Sequence, residues 1–156
     1  MLTHDLTTLF RRDLARLHQE IEAYGDEASL WGLAEGIRNS AGNLCLHLVG
    51  NLQAFIGAAL GRTGYVRNRE AEFATQHVPQ AQLLRDIGDT SRMVERTLDS
   101  LTDARLQELY PLEVLGYPMT TLFFVIHLHG HLTYHLGQID YHRRILAKGQ
   151  AIRFVN

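Results

Sequence analysis

The chain of 156 residues is 46% hydrophobic and has a formal net charge of −2. This length suits one domain, predicted over 1–156, and the mixed charge excludes the basic stripe of a nucleic-acid-binding protein. No apolar stretch reaches the roughly 20 residues of a membrane span, and the start lacks a signal-peptide pattern. The single cysteine, Cys45, suits a reducing cytoplasm, and we expect it to be a small buried hydrophobe.

Four long helical patterns follow one another along the chain, which contains only three prolines. Apolar residues at helical spacing predict helices over about 3–24, 40–60 and 79–101, and a fourth from after Pro118 to Gly149. Ser40 is a typical N-cap residue, and proline at 79 is favoured where a helix begins. No segment shows the alternation of a strand. The pattern predicts an all-α protein, a four-helix bundle.

The links between the predicted helices are long. The link 62–78, between the second and third helices, is too long for a hairpin turn and predicts a crossover along the bundle. The link 102–117 is expected to be packed, because it contains several large apolar residues: Leu106, Tyr110, Leu112, Val114, Leu115 and Tyr117. In the first helix, Glu20 and Glu22 are expected on a solvated face.

The fourth helix carries five of the nine histidines. Positions four apart lie about 40° apart around a helix, so His131 and His135 point the same way and can bind one metal ion. His127 offers an alternative pair with His131, whereas His129 points to the opposite side. His142 shares the flank of His131 and His135, at the edge of the apolar stripe.

A third candidate ligand, His47, lies on a flank of the second helix. The same flank carries small or polar residues, namely Ser40, Asn51, Ala54 and Ala58, which leave room for a cleft or a close partner helix. A lone histidine on a helix flank is usually structural or solvated. Together with the two histidines of the fourth helix, it becomes a candidate metal ligand.

The run His131-x-x-x-His135-Leu-Gly-Gln-Ile, combined with the histidine of the second helix, resembles the DinB-like superfamily. Within that superfamily the more similar branch is the one called domain of unknown function 1572. Three further segments resemble this branch: 39–52, 64–73 and 116–121. The similarity spans essentially the whole chain.

This resemblance implies a bundle with up-down-down-up topology, often assembled as a homodimer. It also implies a divalent metal ion held by His47, His131 and His135. Relatives include thiol S-transferases that use the low-molecular-weight thiols mycothiol or bacillithiol, and a glutathione-dependent maleylpyruvate isomerase. Many members have no established reaction. Three imidazole nitrogens suit zinc best, with nickel or iron as alternatives.

Further residues are candidates for supporting such a site. Gln138 and His142 share the face of the ligands and are predicted to accept the second N–H of a ligating histidine, the alternative being hydrogen bonds within the core or a dimer. Arg67 and Arg69 lie in the densest charged segment and are predicted to bind a substrate carboxylate. The alternative for both is a solvated loop with local ion pairs. No residue is assigned a catalytic role.

Two functions fit these observations. The first is a metal-dependent thiol transferase or hydrolase, in which an open coordination position binds a thiol or water. The second is a non-catalytic, metal-stabilised helical dimer that serves as an interaction module. A cleft above the metal site would favour the first function. A site closed by a fourth protein ligand or by the crossover would favour the second.

Overall fold

The computed structural model of the protein describes residues 2–154, and its regular elements are helices. In chain order they are α1 (Leu2–Glu22), α2 (Glu27–Trp31), α3 (Ala41–Leu52), which continues as a π-helix (Gln53–Ala58), α4 (Arg69–Ala74), α5 (Gln80–Asp99), α6 (Asp103–Gln107) and α7 (Thr121–Leu146). Within residues 2–154 there is no strand beyond one isolated bridge, and no helix is long and apolar enough to cross a membrane.

The long helices begin where capping residues stand. The Ser40 hydroxyl accepts a hydrogen bond from the backbone N–H of Asn43, which caps α3 as predicted. Pro79 stands one residue before α5, and the Thr120 hydroxyl caps α7. The predicted all-α fold is confirmed, and the four long helices agree with the prediction to within about three residues at each end.

The directions of the long helices follow from the residues that touch. The contacts are Thr7–Asp99 and Ile21–Gln80 between α1 and α5, Asp13–His129 and Glu20–Arg143 between α1 and α7, and His47–His131 and Phe55–Phe124 between α3 and α7. Where the residue numbers increase in both helices from one contact to the next, the two helices are parallel. Where the numbers increase in one helix and decrease in the other, the helices are antiparallel. The chain therefore runs up in α1, down in α3 and α5, and up again in α7.

The core lies between these four helices and contains one apolar stripe from each. Fully buried members include Phe10, Leu14, Leu17, Leu48, Leu52, Leu83, Ile87, Leu98, Phe124 and Ile139. Cys45 is completely buried among them, as expected for a thiol that acts as a small hydrophobe. The same packing sets α3 beside α7 with their polar flanks facing each other.

The crossover between α3 and α5 is held against α3 by its short helix α4. The Asn43 side-chain amide donates to the backbone carbonyls of Glu72 and Thr75, at 3.0 and 2.8 Å. Gly50 makes this approach possible, because a Cβ at that position would overlap the Glu72 carboxylate. The crossover is therefore a packed element, and it brings an acidic side chain to the flank of α3.

The link between α5 and α7 is packed mainly in its first half. Leu106 is fully buried, and the Tyr110 hydroxyl donates to the carbonyl of Phe55 at 2.7 Å. Further along, Leu115 is partly buried against the core, whereas Leu112, Val114 and Tyr117 are exposed. The expectation that this link packs was therefore wrong for these three exposed residues.

Glu20 is fully buried, contrary to the expected solvated face. Its carboxylate pairs with the guanidinium of Arg143 on α7, with 2.5 Å between Oε2 and Nε. Only 3% of the Arg143 side chain is exposed. A carboxylate inside a bundle requires such a partner, since an unpaired buried charge is strongly destabilising.

We predict that Arg143→Met destabilises the protein by about 3–5 kcal/mol, because it leaves the Glu20 carboxylate buried without a partner. Urea denaturation at fixed protein concentration measures the change. Arg144→Met is the matched control: Arg144 is partly exposed and pairs with Asp140, so a loss of at most about 1 kcal/mol is expected. Equal losses in the two variants would contradict the importance of the buried pair.

Candidate metal centre

Three histidines converge where the polar flanks of α3 and α7 meet. One ring nitrogen from each of His47, His131 and His135 lies within 4.8 Å of those of the other two. The closest approach, 3.1 Å, joins Nε2 of His47 to Nε2 of His131. The structure thus brings together the three residues that the sequence analysis singled out as ligands.

His47 is oriented by a carboxylate from the crossover. Its Nδ1 lies 2.8 Å from Oε2 of Glu72, a side chain that is only 6% exposed. Because a carboxylate can only accept, Nδ1 carries the hydrogen, and the lone pair of the ring stands on Nε2. The ring of Phe73 packs against the imidazole at 4.9 Å between centroids. Glu72 therefore presents Nε2 of His47 to the other two histidines.

Arg67 is bound within this network. Its guanidinium donates two hydrogen bonds to the Glu72 carboxylate, Nε to Oε1 at 2.7 Å and Nη2 to Oε2 at 2.8 Å. Arg67 thus makes the contact given above as the alternative, a local ion pair, in which a carboxylate of the protein occupies this face of the guanidinium. Arg69 is exposed, with its guanidinium 5.2 Å from the ring centre of Phe73.

Gln138 and His142 were both predicted to accept a hydrogen bond from a ligating histidine, but only Gln138 contacts the cluster. Nδ1 of His135 lies 2.6 Å from Oε1 of Gln138, so this amide can orient the ring as predicted. His142 has both ring nitrogens engaged elsewhere, one with the hydroxyl of Tyr24 at 2.7 Å and one with the carbonyl of Gly32 at 2.9 Å. His142 thus makes the alternative contact, a hydrogen bond inside the core, and does not support the cluster.

The histidines considered for a shifted pair point elsewhere. His127 is exposed and stacks on Phe124 at 5.6 Å between ring centres. His129 faces α1, where its Nε2 lies 2.9 Å from the carboxylate of Asp13. Within residues 2–154 the only cluster of three or more potential metal-binding side chains contains His135 and not His127.

Burial disfavours the charged form of two of the three imidazoles. It lowers the pKa of His131 to about 4, and repulsion from a protonated His135 or His47 acts in the same direction. Burial also lowers the pKa of His47, although the hydrogen bond to Glu72 opposes this effect. Both rings are therefore uncharged at neutral pH, which is the state in which imidazole binds a metal ion.

The arrangement fits a divalent ion. A tetrahedral ion about 2.1 Å from each nitrogen spaces neighbouring ligands by roughly 3.4 Å, close to the 3.1 Å between His47 and His131. In His47 and His135 the hydrogen on Nδ1 faces an oxygen of the protein, so that Nε2 is left as the ligand atom. Three neutral nitrogen donors can hold zinc, nickel or iron.

The sequence analysis missed Glu72, the group on which His47 depends. Glu72 lies in the charged segment that was noted for its arginines, and nothing in its local spacing distinguishes it from Glu70. The sequence offered one signal: ligating histidines prefer a carboxylate partner, and the acidic residues of the predicted crossover could supply one. The path of that crossover decided which acid would reach His47.

Similarity to known proteins supports the sequence resemblance. The family model described as "Protein of unknown function (DUF1572)" matches residues 4–154. The chain belongs to the DUF1572 family. No curated protein is significantly similar to it in sequence.

Two crystal structures share the fold of this DUF1572 protein. One is a conserved protein from Enterococcus faecalis, 19% identical, with a TM-score of 0.69 over 92% of this chain and 98% of that one. The other is a DinB-like protein from Bacillus cereus, 16% identical, with a TM-score of 0.69 over 92% of this chain and 91% of that one. At these identities the similarity establishes the DinB-like fold alone.

We predict that Glu72→Gln weakens zinc binding by about 10- to 100-fold, because His47 loses the charged acceptor that orients it. Competition with a chromophoric chelator measures the affinity. Glu70→Gln is the matched control, since Glu70 lies on the same short helix and is exposed. An unchanged affinity in Glu72→Gln would show that the carboxylate does not support the site.

Proposed function

We propose that this DUF1572 protein binds one divalent metal ion through His47, His131 and His135. The observation that carries the proposal is the convergence of three imidazoles from two helices, of which two have outer hydrogen-bond partners. Burial holds His47 and His131 in the neutral form that metal binding requires. Zinc is the preferred ion on the basis of the ligand type, and nickel and iron are the alternatives.

The number of ligands favours catalysis over a purely structural role. Structural zinc sites close all four positions with protein ligands, whereas catalytic sites use three and leave one open. We therefore propose a metal-dependent thiol S-transferase that uses a low-molecular-weight thiol. The ion would supply Lewis-acid chemistry by lowering the pKa of a thiol at the open position. The thiol would lose its proton to solvent, and its sulfur would form a bond to an electrophilic carbon of the second substrate. The bond from that carbon to a leaving group would break, and the leaving group would depart as an anion with the electron pair, as bromide does from a bromobimane.

A cavity between α7 and the segment 36–39 is large enough for such a thiol. It has a volume of about 390 Å³, and its lining includes Gln138, whose amide contacts His135, but none of the three histidines. Its walls combine apolar and polar groups, including Leu44, Tyr141 and the exposed Arg38. Low-molecular-weight thiols of this kind carry carboxylates, which a guanidinium binds well. Arg69 at the crossover remains a second proposed cation for the substrate.

His135→Ala should abolish zinc binding and leave the fold intact, because the core is built from apolar stripes that this residue does not join. His127→Ala is the matched control: it removes a histidine two turns away on the same helix and should bind zinc like the wild type. Elemental analysis after gel filtration measures the metal, and far-UV circular dichroism monitors the fold. Loss of zinc in His127→Ala with retention in His135→Ala would reverse the assignment of the pair.

The same variants separate catalysis from metal storage. Zinc-loaded wild type and His127→Ala should accelerate the coupling of a small thiol to an electrophile such as a bromobimane, and His135→Ala should not. Glutathione and cysteine serve as probes, and loss of the free thiol is the measurement. Zinc binding without any acceleration would favour the second candidate function, a metal-stabilised dimer.

That second candidate has its own support in an exposed stripe along α7. Large hydrophobic side chains follow one another on this face with about half or more of their surface accessible: Phe123, Ile126, Tyr134, Tyr141 and Ile145. Gly130 and Gly137 lie between them, and a Cβ at either glycine would meet nothing within 4 Å. A stripe of this length on a small protein is typical of a surface that binds a partner.

The stripe is arranged symmetrically about the middle of α7, which favours a second copy of the chain as the partner. Gly130 and Gly137 are equally far from the centre of the helix, and so are Ile126 and Tyr141. In a two-fold dimer, if residue i of one copy contacts residue j of the other, then residue j of the first also contacts residue i of the second. Two antiparallel α7 helices would therefore set Ile126 of each copy against Tyr141 of the other. The facing glycines would let the two helices approach closely.

We predict that Tyr141→Asp converts the homodimer to a monomer, because it places an unpaired carboxylate in the proposed interface. Light scattering at micromolar concentration should give twice the 17.7 kDa chain mass for the wild type and the single mass for the variant. Tyr65→Asp, at an exposed tyrosine of the crossover, is the control and should remain dimeric. A monomeric wild type would rule out the homodimer.

A further inference from the structure

Two buried polar atoms on the facing flanks of α3 and α7 lack hydrogen-bond partners. They are Oδ1 of Asn51 and Nδ1 of His131, two of only four such side-chain atoms among the described residues. Asn51 is 7% exposed, so solvent does not readily satisfy its amide. Leaving a buried donor or acceptor unpaired costs about 1–3 kcal/mol, which calls for a functional explanation.

The register of the two helices places these two residues about one turn apart along the α3–α7 contact. His47 contacts His131. Phe55, eight residues after His47 on the continuation of α3, packs on Phe124, which lies seven residues before His131 on α7. Asn51 lies midway between His47 and Phe55. It is therefore level with the turn of α7 that precedes His131.

The tilt of side chains along a helix directs the Asn51 and His131 side chains toward each other. Side chains on a helix tilt toward its N-terminus. Because α3 and α7 are antiparallel, Asn51 tilts toward the level of His131, and His131 tilts toward the level of Asn51. The amide oxygen and the ring nitrogen thus approach from opposite sides.

The other two histidines of the cluster each have an acceptor at Nδ1, which His131 lacks. Nδ1 of His47 faces the Glu72 carboxylate, and Nδ1 of His135 faces the Gln138 amide oxygen. A metal-ligating histidine nearly always donates its second N–H to an acceptor, which fixes the tautomer and the ring plane. Among the three, His131 alone has no such acceptor, and Asn51 Oδ1 is a buried acceptor without a donor.

We propose that Asn51 is the positioning residue of His131: its amide oxygen accepts the hydrogen bond from Nδ1–H of His131 when a divalent ion is bound. This inference rests on the proposed metal binding and adds a third outer acceptor to the centre. Asn51 itself does not touch the ion.

Two substitutions at this position test the role of the acceptor. Asn51→Leu keeps the branched shape of the side chain and removes the acceptor, and it should weaken zinc binding by about 10- to 100-fold in a chelator competition assay. Asn51→Asp keeps an acceptor and should bind zinc at least as tightly as the wild type. Affinity in Asn51→Leu equal to that of the wild type, or equal losses in both variants, would overturn the proposal.

A spectroscopic measurement on the wild type makes the test independent of the variants. In zinc-loaded protein, a long-range ¹H–¹⁵N spectrum should show Nδ1–H of His131 exchanging slowly, with a nuclear Overhauser effect to the β protons of Asn51. Absence of that effect in the zinc-loaded protein would overturn the proposal even if Asn51→Leu fails to fold. If the wild type binds no zinc at all, the metal site itself has failed.

Discussion

The centre depends on one contact between two parts of the chain: the hydrogen bond from His47 on α3 to Glu72 on the crossover. This bond fixes the hydrogen of His47 on Nδ1 and turns Nε2 toward the histidines of α7. Glu72 can be buried there because Arg67 neutralises it, and it can lie so close because Gly50 has no side chain. The crossover therefore does more than connect two helices, since its path sets the orientation of His47, which lies 25 residues before Glu72.

Helix α7 has three faces in different environments. One face packs in the core, a flank carries His131 and His135, and a third face is an exposed hydrophobic stripe. This explains why the helix has apolar residues nearly all round and no clear amphipathic pattern. A metal ion on the flank would join α7 to α3, so binding at the centre and pairing through the stripe would act on the same element.

Much of this arrangement could be predicted from the sequence, where the helical period alone decides the geometry. His131 and His135 lie one turn apart in any helix, and the flank of His47 follows from the apolar residues beside it. Glu72 could not be identified, because the conformation of the crossover has no period. Arg67 was predicted to bind a substrate because the sequence does not show that the crossover folds back and pairs Arg67 with Glu72. Glu20 was expected in solvent because Arg143, which pairs with it, lies 123 residues away.

The central claim is that three imidazoles hold one divalent ion between α3 and α7. X-ray absorption spectroscopy of the zinc-loaded protein tests it most directly, because the fine structure reports ligand type, number and distance. The account predicts one zinc ion per chain with three histidine nitrogens at about 2.0–2.1 Å and one further light atom. A sulfur at about 2.3 Å, or a shell of oxygens without the outer scattering of imidazole rings, would contradict it.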